Sequence, residues 1–140
     1  MPDTTSHTVI MALGCNHEEA EAAIAKAIQL MSHYITDMHC TETLMTEPIG
    51  IQSGPFCNCI IKGLTILDAP TLMAAIKQVE RECGDRRSLR QKNIIMMDID
   101  LLLHGTKKYH PQDWKRDYIQ QLLSQTCIPH PHHHDLPTVR

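Results

Sequence analysis

Two aspartates, Asp98 and Asp100, interrupt the most apolar run of the chain, Asn93 to Gly105, which reads Asn-Ile-Ile-Met-Met-Asp-Ile-Asp-Leu-Leu-Leu-His-Gly. The run holds no Pro and no Gly before its last residue, and it predicts a buried central strand. Side chains of a strand alternate between faces, so both carboxylates project from one face, roughly 6 to 7 Å apart. Two unpaired carboxylates are costly to bury side by side, and such a pair ordinarily holds a cation or a proton between its members. The matching chemistry is a Mg²⁺ site, because that ion takes one or two carboxylates and completes its octahedron with waters and substrate phosphates. The other reading open to the pair is a solvated position at the sheet's edge.

A cationic stretch leads into this strand. Asp85 to Lys92 carries Arg86, Arg87, Arg90 and Lys92 against a single acid. Such a run is ordinarily a solvated loop. Directly before a metal-holding strand it can also grip a polyphosphate from the side opposite the ion.

A carboxylate floor needs flanking strands and helices beneath it. Thr8 to Leu13 reads as an apolar strand, ended by Gly14-Cys15-Asn16, and Asn16 with Glu19 has the spacing of a capping box. In the following helix, His17 to Ser32, Ala20, Ile24, Ala27, Ile28 and Met31 recur on one face. Tyr34 to Thr46, rich in Thr, reads as a half-exposed strand; Glu47 to Pro55, with two Pro and two Gly, reads as a loop. Phe56 to Leu67 gives the next strand. Asp68-Ala69-Pro70 opens a helix with Leu72, Ile76, Val79 and Cys83 inward and Gly84 as its C-terminal cap.

Beyond Gly105, Pro111 to Gln125 predicts one amphipathic helix with Trp114, Tyr118, Ile119, Leu122 and Leu123 on one side, before an irregular tail rich in Pro and His. This order predicts an α+β fold: a ferredoxin-like βαββαβ antiparallel sheet covered by helices on one face, with a C-terminal helix and irregular tail.

The 140 residues suit a single domain, with residues 1–7 and 131–140 expected to be flexible. A net charge of -3 argues against a general binder of nucleic acid or membrane surfaces, and no apolar stretch approaches the roughly 18 to 20 residues of a membrane span. Met1 to His7 lacks the regions of a secretory signal, which predicts a cytoplasmic protein, a monomer or weak dimer. The six cysteines, Cys15, Cys40, Cys57, Cys59, Cys83 and Cys127, fit no metal or redox spacing and read as small buried hydrophobes.

Six short segments, in order, carry a family resemblance: Ala12-Leu13-Gly14-Cys15-Asn16, Thr46-Glu47-Pro48-Ile49-Gly50, Phe56-Cys57-Asn58, Glu80 with Gly84, Met97-Asp98-Ile99-Asp100-Leu101-Leu102, and Pro129-His130-Pro131. Together they resemble 6-hydroxymethyl-7,8-dihydropterin pyrophosphokinase, the folate-pathway enzyme that moves the terminal diphosphate of ATP to a pterin alcohol. The resemblance implies that Asp98 and Asp100 hold two Mg²⁺ ions and are catalytic. It also implies that Thr46, Pro48, Ile49, Phe56 and Asn58 bind the pterin, and that Glu80, Arg87 and His130 contact ATP, Arg87 also acting in catalysis.

The chain departs from the family pattern at Asp85, Lys92 and Asn93-Ile94-Ile95-Met96, where the family usually carries an Arg, an aromatic and a Gly-Pro-Arg-Thr-like run. It also stops where the family usually continues. It therefore resembles a diverged, C-terminally short member, and the alternative is a non-catalytic homologue that binds a pterin or nucleotide.

Overall fold

A computed structural model describes residues 5–126. Its centre is β1 (His7–Cys15), hydrogen-bonded on one side to β4 (Phe56–Thr65) and on the other to β5 (Asp98–His104), all antiparallel. β2 (Thr36–Cys40) and β3 (Leu44–Thr46) pair in turn with β4, and the short β6 (Lys107–Lys108) pairs with the end of β5. The order β2-β4-β1-β5-β6, with β3 beside β4, is the expected ferredoxin-like arrangement. The stretch Tyr34 to Thr46 is two strands rather than one. Between them Thr41 turns its hydroxyl to the Ile60 N–H at 2.9 Å, replacing a ladder bond.

Alternation along β1 builds two cores. Val9, Met11, Leu13 and Cys15 join Cys57, Cys59, Ile61, Ile99 and Leu101 beneath α1 (Ala20–Met31) and α2 (Ala69–Glu82). Ile10, Ile60 and Leu102 point the other way and are covered by Ile119, Leu122 and Leu123 of α5 (Asp117–Thr126). Helices therefore cover both faces, not one. The apolar stripe of α5 finds an equally apolar but shorter patch there, and burying each such side chain contributes about 1.5 to 3 kcal/mol. The expected single helix from Pro111 is broken into α4 (Pro111–Trp114) and α5. The Trp114 indole N–H is held by the carbonyls of Leu102 and Tyr109 at 3.2 and 2.9 Å, pinning α4 to the strand.

α2 matches its sequence signals. The Asp68 carboxylate accepts from the Thr71 N–H at 2.9 Å. At the other end Gly84 has φ +98, with Gly84 N–H to Arg81 O and Asp85 N–H to Glu80 O, the paired bonds of a glycine-terminated helix.

Three local expectations are corrected. The acid strand begins at Asp98, not upstream, because Asn93 is left-handed at φ 61 and the Asn16 side chain occupies the polar groups that follow: it donates to Asn93 O and accepts from Ile95 N–H, both at 2.8 Å. Asn16 is therefore a long-range clamp and not a helix cap; the cap position is Glu19, which makes no side-chain capping bond. Asp85 to Lys92 is not all loop, since Arg87–Arg90 forms the short helix α3.

His7 opens β1, and its ring lies 4.7 Å from that of His104, tilted by 32°. Cys15, Cys57, Cys59 and Cys83 are buried, and burial pushes the Cys15 thiol up to about 12, as expected of inert core cysteines; Cys40 is half-buried, and Cys127 lies outside the described residues. Among the described residues no helix is long and apolar enough to cross a membrane.

Candidate active site

On the α5 face each central strand changes character along its length. β1 runs Ile10, Ala12, Gly14; β4 runs Ile60, Asn58, Phe56; β5 runs Leu102, Asp100, Asp98. The first member of each series lies under α5, and beyond it the side chains become small or polar and the sheet floor opens into a cleft. Pairing sets the rows across it. Gly14 lies between Asn58 and Asp98, and Ala12 lies between Ile60 and Asp100. Asn58 and Asp98 are thus two strands apart, about 10 Å at some 4.8 Å per strand.

Gly14 is the low point of this floor. A Cβ there would meet Asn58 Oδ1 at 3.0 Å and Phe56 Cδ2 at 3.8 Å. Asn58 is buried and framed by its amide nitrogen, which donates to Thr46 Oγ1 at 2.8 Å and Leu44 O at 3.1 Å. Thr46 and Ile49 continue this wall, and Ile49 is exposed over the opening. The pocket half of the cleft therefore offers an aromatic ring, an oriented amide and a hydroxyl around a floor without a side chain. That set suits a flat heterocycle with hydrogen-bonding edges.

The opposite half is acidic. Asp98, Asp100 and Asp113 line it, Glu47 joins them from the Thr46–Ile49 wall, and among the described residues Arg116 is the one Lys or Arg in the lining. Burial, reinforced by the charge of Asp98, pushes the Asp100 carboxyl up to about 7. Only His110, with Nε2 3.9 Å from Asp100 Oδ1, offsets this from nearby. A carboxylate that holds its proton so tightly lacks a counter-ion.

Hard oxygen donors short of positive charge fit Mg²⁺. Among the described residues no group of three or more His, Cys, Asp or Glu side chains that could hold a metal ion is found, and an ion bound by the Asp pair would take its further ligands from water or substrate.

Two interactions fix the acid strand. Beside Ile99, β6 no longer covers β5, and the buried Glu80 carboxylate of α2 accepts the Ile99 N–H at 2.7 Å. Arg90 then reaches Asp98 Oδ1 at 3.2 Å and Met97 O at 3.1 Å, while its Nε is held by Asp85. Asp85 thus orients the guanidinium that meets Asp98. The segment before the strand is tied to the loop Glu47 to Pro55 by Asn93, whose amide donates to Gln52 O at 3.3 Å.

The cleft brings together Thr46, Ile49, Phe56, Asn58, Asp98 and Asp100 of the residues singled out from sequence. It does not bring in Pro48, which is half-buried between two lining residues, nor Arg87, which is exposed on α3. Glu80 is buried beneath the strand and 2% exposed, its carboxylate engaged with the backbone rather than open to the cleft. His130 lies outside the described residues. Sequence reasoning missed Gly14 as floor, and Asp113, Arg116 and Tyr118 as wall. The only signal was that these three fall at the break between α4 and α5, which a helical reading absorbs into one amphipathic element.

A family model described as 7,8-dihydro-6-hydroxymethylpterin-pyrophosphokinase (HPPK) matches residues 10–139. The chain belongs to the HPPK family. A 2-amino-4-hydroxy-6-hydroxymethyldihydropteridine pyrophosphokinase of Porphyromonas gingivalis is 25% identical over 134 residues, covering 85% of this chain and 90% of the relative. The Aquifex aeolicus protein of the same name is 29% identical over 120 residues, covering 79% of this chain and 74% of the relative.

A folate synthesis bifunctional protein of Arabidopsis thaliana is 28% identical over 128 residues, which is 83% of this chain but 26% of that protein. The chain thus spans about a quarter of the length of this bifunctional relative. The HPPK match begins within β1, whose Ala12 and Gly14 form the floor of the cleft, and extends past α5.

Proposed function

We propose that this chain transfers the terminal diphosphate of ATP to the hydroxymethyl group of 6-hydroxymethyl-7,8-dihydropterin, in folate biosynthesis. In that reaction the hydroxymethyl oxygen bonds to the β-phosphorus, the bond from that phosphorus to the α,β-bridging oxygen breaks, AMP leaves, and the hydroxyl proton is released. The observation that carries the reading is the row Asn58, Gly14, Asp98, which sets a heterocycle-sized recess beside a carboxylate pair on one rigid floor.

Each group has a role that its position supports. Phe56 stacks on the pterin, Asn58 and Thr46 read its edge, and Ile49 closes over it. Asp98 and Asp100 would hold Mg²⁺, which would supply charge neutralisation for the phosphate oxygens. Without such cations the four acids of the cleft would repel a polyphosphate. Arg90 steadies Asp98, and the fold as a whole orients rather than bonds, as diphosphoryl transfer requires. We assign Arg87 and His130 to the nucleotide, and Glu80 to the support of the acid strand. The protein is read as a cytoplasmic monomer or weak dimer that binds neither nucleic acid nor membrane.

The test is a transfer assay with ATP, Mg²⁺ and 6-hydroxymethyl-7,8-dihydropterin, followed by AMP release. No product at high enzyme concentration would overturn the reading. Arg87, exposed and apart from the cleft, favours the second reading of a homologue that binds pterin or nucleotide without turnover. Calorimetry showing pterin binding that is indifferent to ATP would select it.

A further inference from the structure

The cleft poses an electrostatic problem: a polyphosphate must enter beside four carboxylates. Of the guanidiniums in Asp85 to Lys92, Arg86 and Arg87 are exposed and do not line the cleft, and Arg90 is held between Asp85, Met97 O and Asp98. The cation that does line the cleft comes from elsewhere in the chain. Arg116 stands at the junction of α4 and α5 and lines the cleft together with Thr46, at the end of β3, and Ile49.

Its placement is built. Trp114 anchors α4 to β5 and the adjoining loop through two carbonyls, and Gln120 N–H caps Arg116 O at 3.1 Å, fixing the backbone on both sides. Asp113 accepts from Arg116 Nε at 3.2 Å and so orients the guanidinium, whose two terminal nitrogens make no hydrogen bond among the described residues. The side chain is 36% exposed, open to solvent yet against the wall. Arg116 also lines an adjoining groove with Thr46, Ile49, Lys115 and Tyr118, so it stands where two depressions meet.

We propose that Arg116 is a substrate-contacting residue that grips the diphosphate portion of the nucleotide from the cleft wall at the junction of α4 and α5. The inference rests on the diphosphate-transfer reading above. A guanidinium with its Nε already paired and, among the described residues, both terminal nitrogens unpaired presents the fork that matches two phosphate oxygens. It supplies from α5 a bidentate contact that Arg87 does not bring to the cleft.

The test compares wild type with Arg116→Ala and Arg116→Lys, in steady state and by calorimetry with Mg²⁺-pyrophosphate as the probe. We expect Arg116→Ala to lower kcat/KM for ATP by about 10²-fold, with the KM for pterin unchanged. Arg116→Lys should recover part of the loss, because it restores the charge but not the fork. Wild-type kinetics for ATP in Arg116→Ala would overturn the proposal. So would a loss that falls equally on both substrates or that accompanies a lowered melting temperature in both variants. If wild type itself makes no product, the transfer reading fails while the calorimetry still decides on Arg116. Weaker Mg²⁺-pyrophosphate binding in Arg116→Ala supports the contact, and unchanged binding refutes it.

Discussion

Replacing Asp100 by Asn should stabilise the metal-free protein while removing the proposed metal site. The carboxyl is raised from 3.8 to about 7, first by burial and then by Asp98. A shift of roughly three units corresponds to about 4 kcal/mol at 1.36 kcal/mol per unit, as an upper bound. The side chain is 34% exposed, and solvent screening reduces this to about 1 to 2 kcal/mol.

The sign follows from proton binding. The folded state holds this proton more tightly than the unfolded state, so its contribution is greatest below about pH 4. It is lost as the pH rises to about 7 and stays constant above that.

Urea unfolding in chelator, wild type against Asp100→Asn, should therefore show no difference near pH 4 and an advantage of about 1 to 2 kcal/mol for Asn at pH 8. Adding Mg²⁺ at about 100 times its dissociation constant should raise wild type by about 2.7 kcal/mol and leave the variant unchanged. An Asn variant that is no more stable than wild type at pH 8 in chelator would refute the argument that an uncompensated charge sits in this floor.

Further outcomes follow from the same geometry. Glu80→Leu leaves the buried Ile99 N–H without its acceptor and should cost about 1 to 3 kcal/mol by urea unfolding. Glu80→Gln keeps an oxygen there and should cost clearly less, so equal losses would show that the hydrogen bond is not what matters. Gly14→Ala places a methyl 3.0 Å from Asn58 Oδ1 in the cleft floor. Pterin affinity by calorimetry should fall at least tenfold, equivalent to about 1.4 kcal/mol, with the melting temperature little changed; undiminished affinity would move the heterocycle off this floor.

The elements whose evidence is local were legible. Period-two alternation put Asp98 and Asp100 on one face, and both do line the cleft. The capping carboxylate of Asp68 and the glycine after α2 are signals within four residues of the turns they make. The broken helix was not legible, because the Trp114 indole is claimed by Leu102 and Tyr109 carbonyls rather than by anything in its own helical pattern. Asn16 misled for the same reason: its spacing to Glu19 is that of a cap, but its amide is used 77 and 79 residues away.

What the sequence alone determined was the carboxylate pair, the α+β order of elements and the resemblance to the HPPK family, because alternation, turn chemistry and short motifs are written in contiguous residues. Only the tertiary structure decided which of the nearby cations meets the acids and which merely precedes them. Arg90 reaches Asp98 and Arg87 does not, although only Ser88 and Leu89 separate them. Arg116 enters the cleft wall because α5 must bury its apolar stripe on Ile10, Ile60 and Leu102. That packing is a property of two surfaces meeting, and no single stretch of the chain contains both.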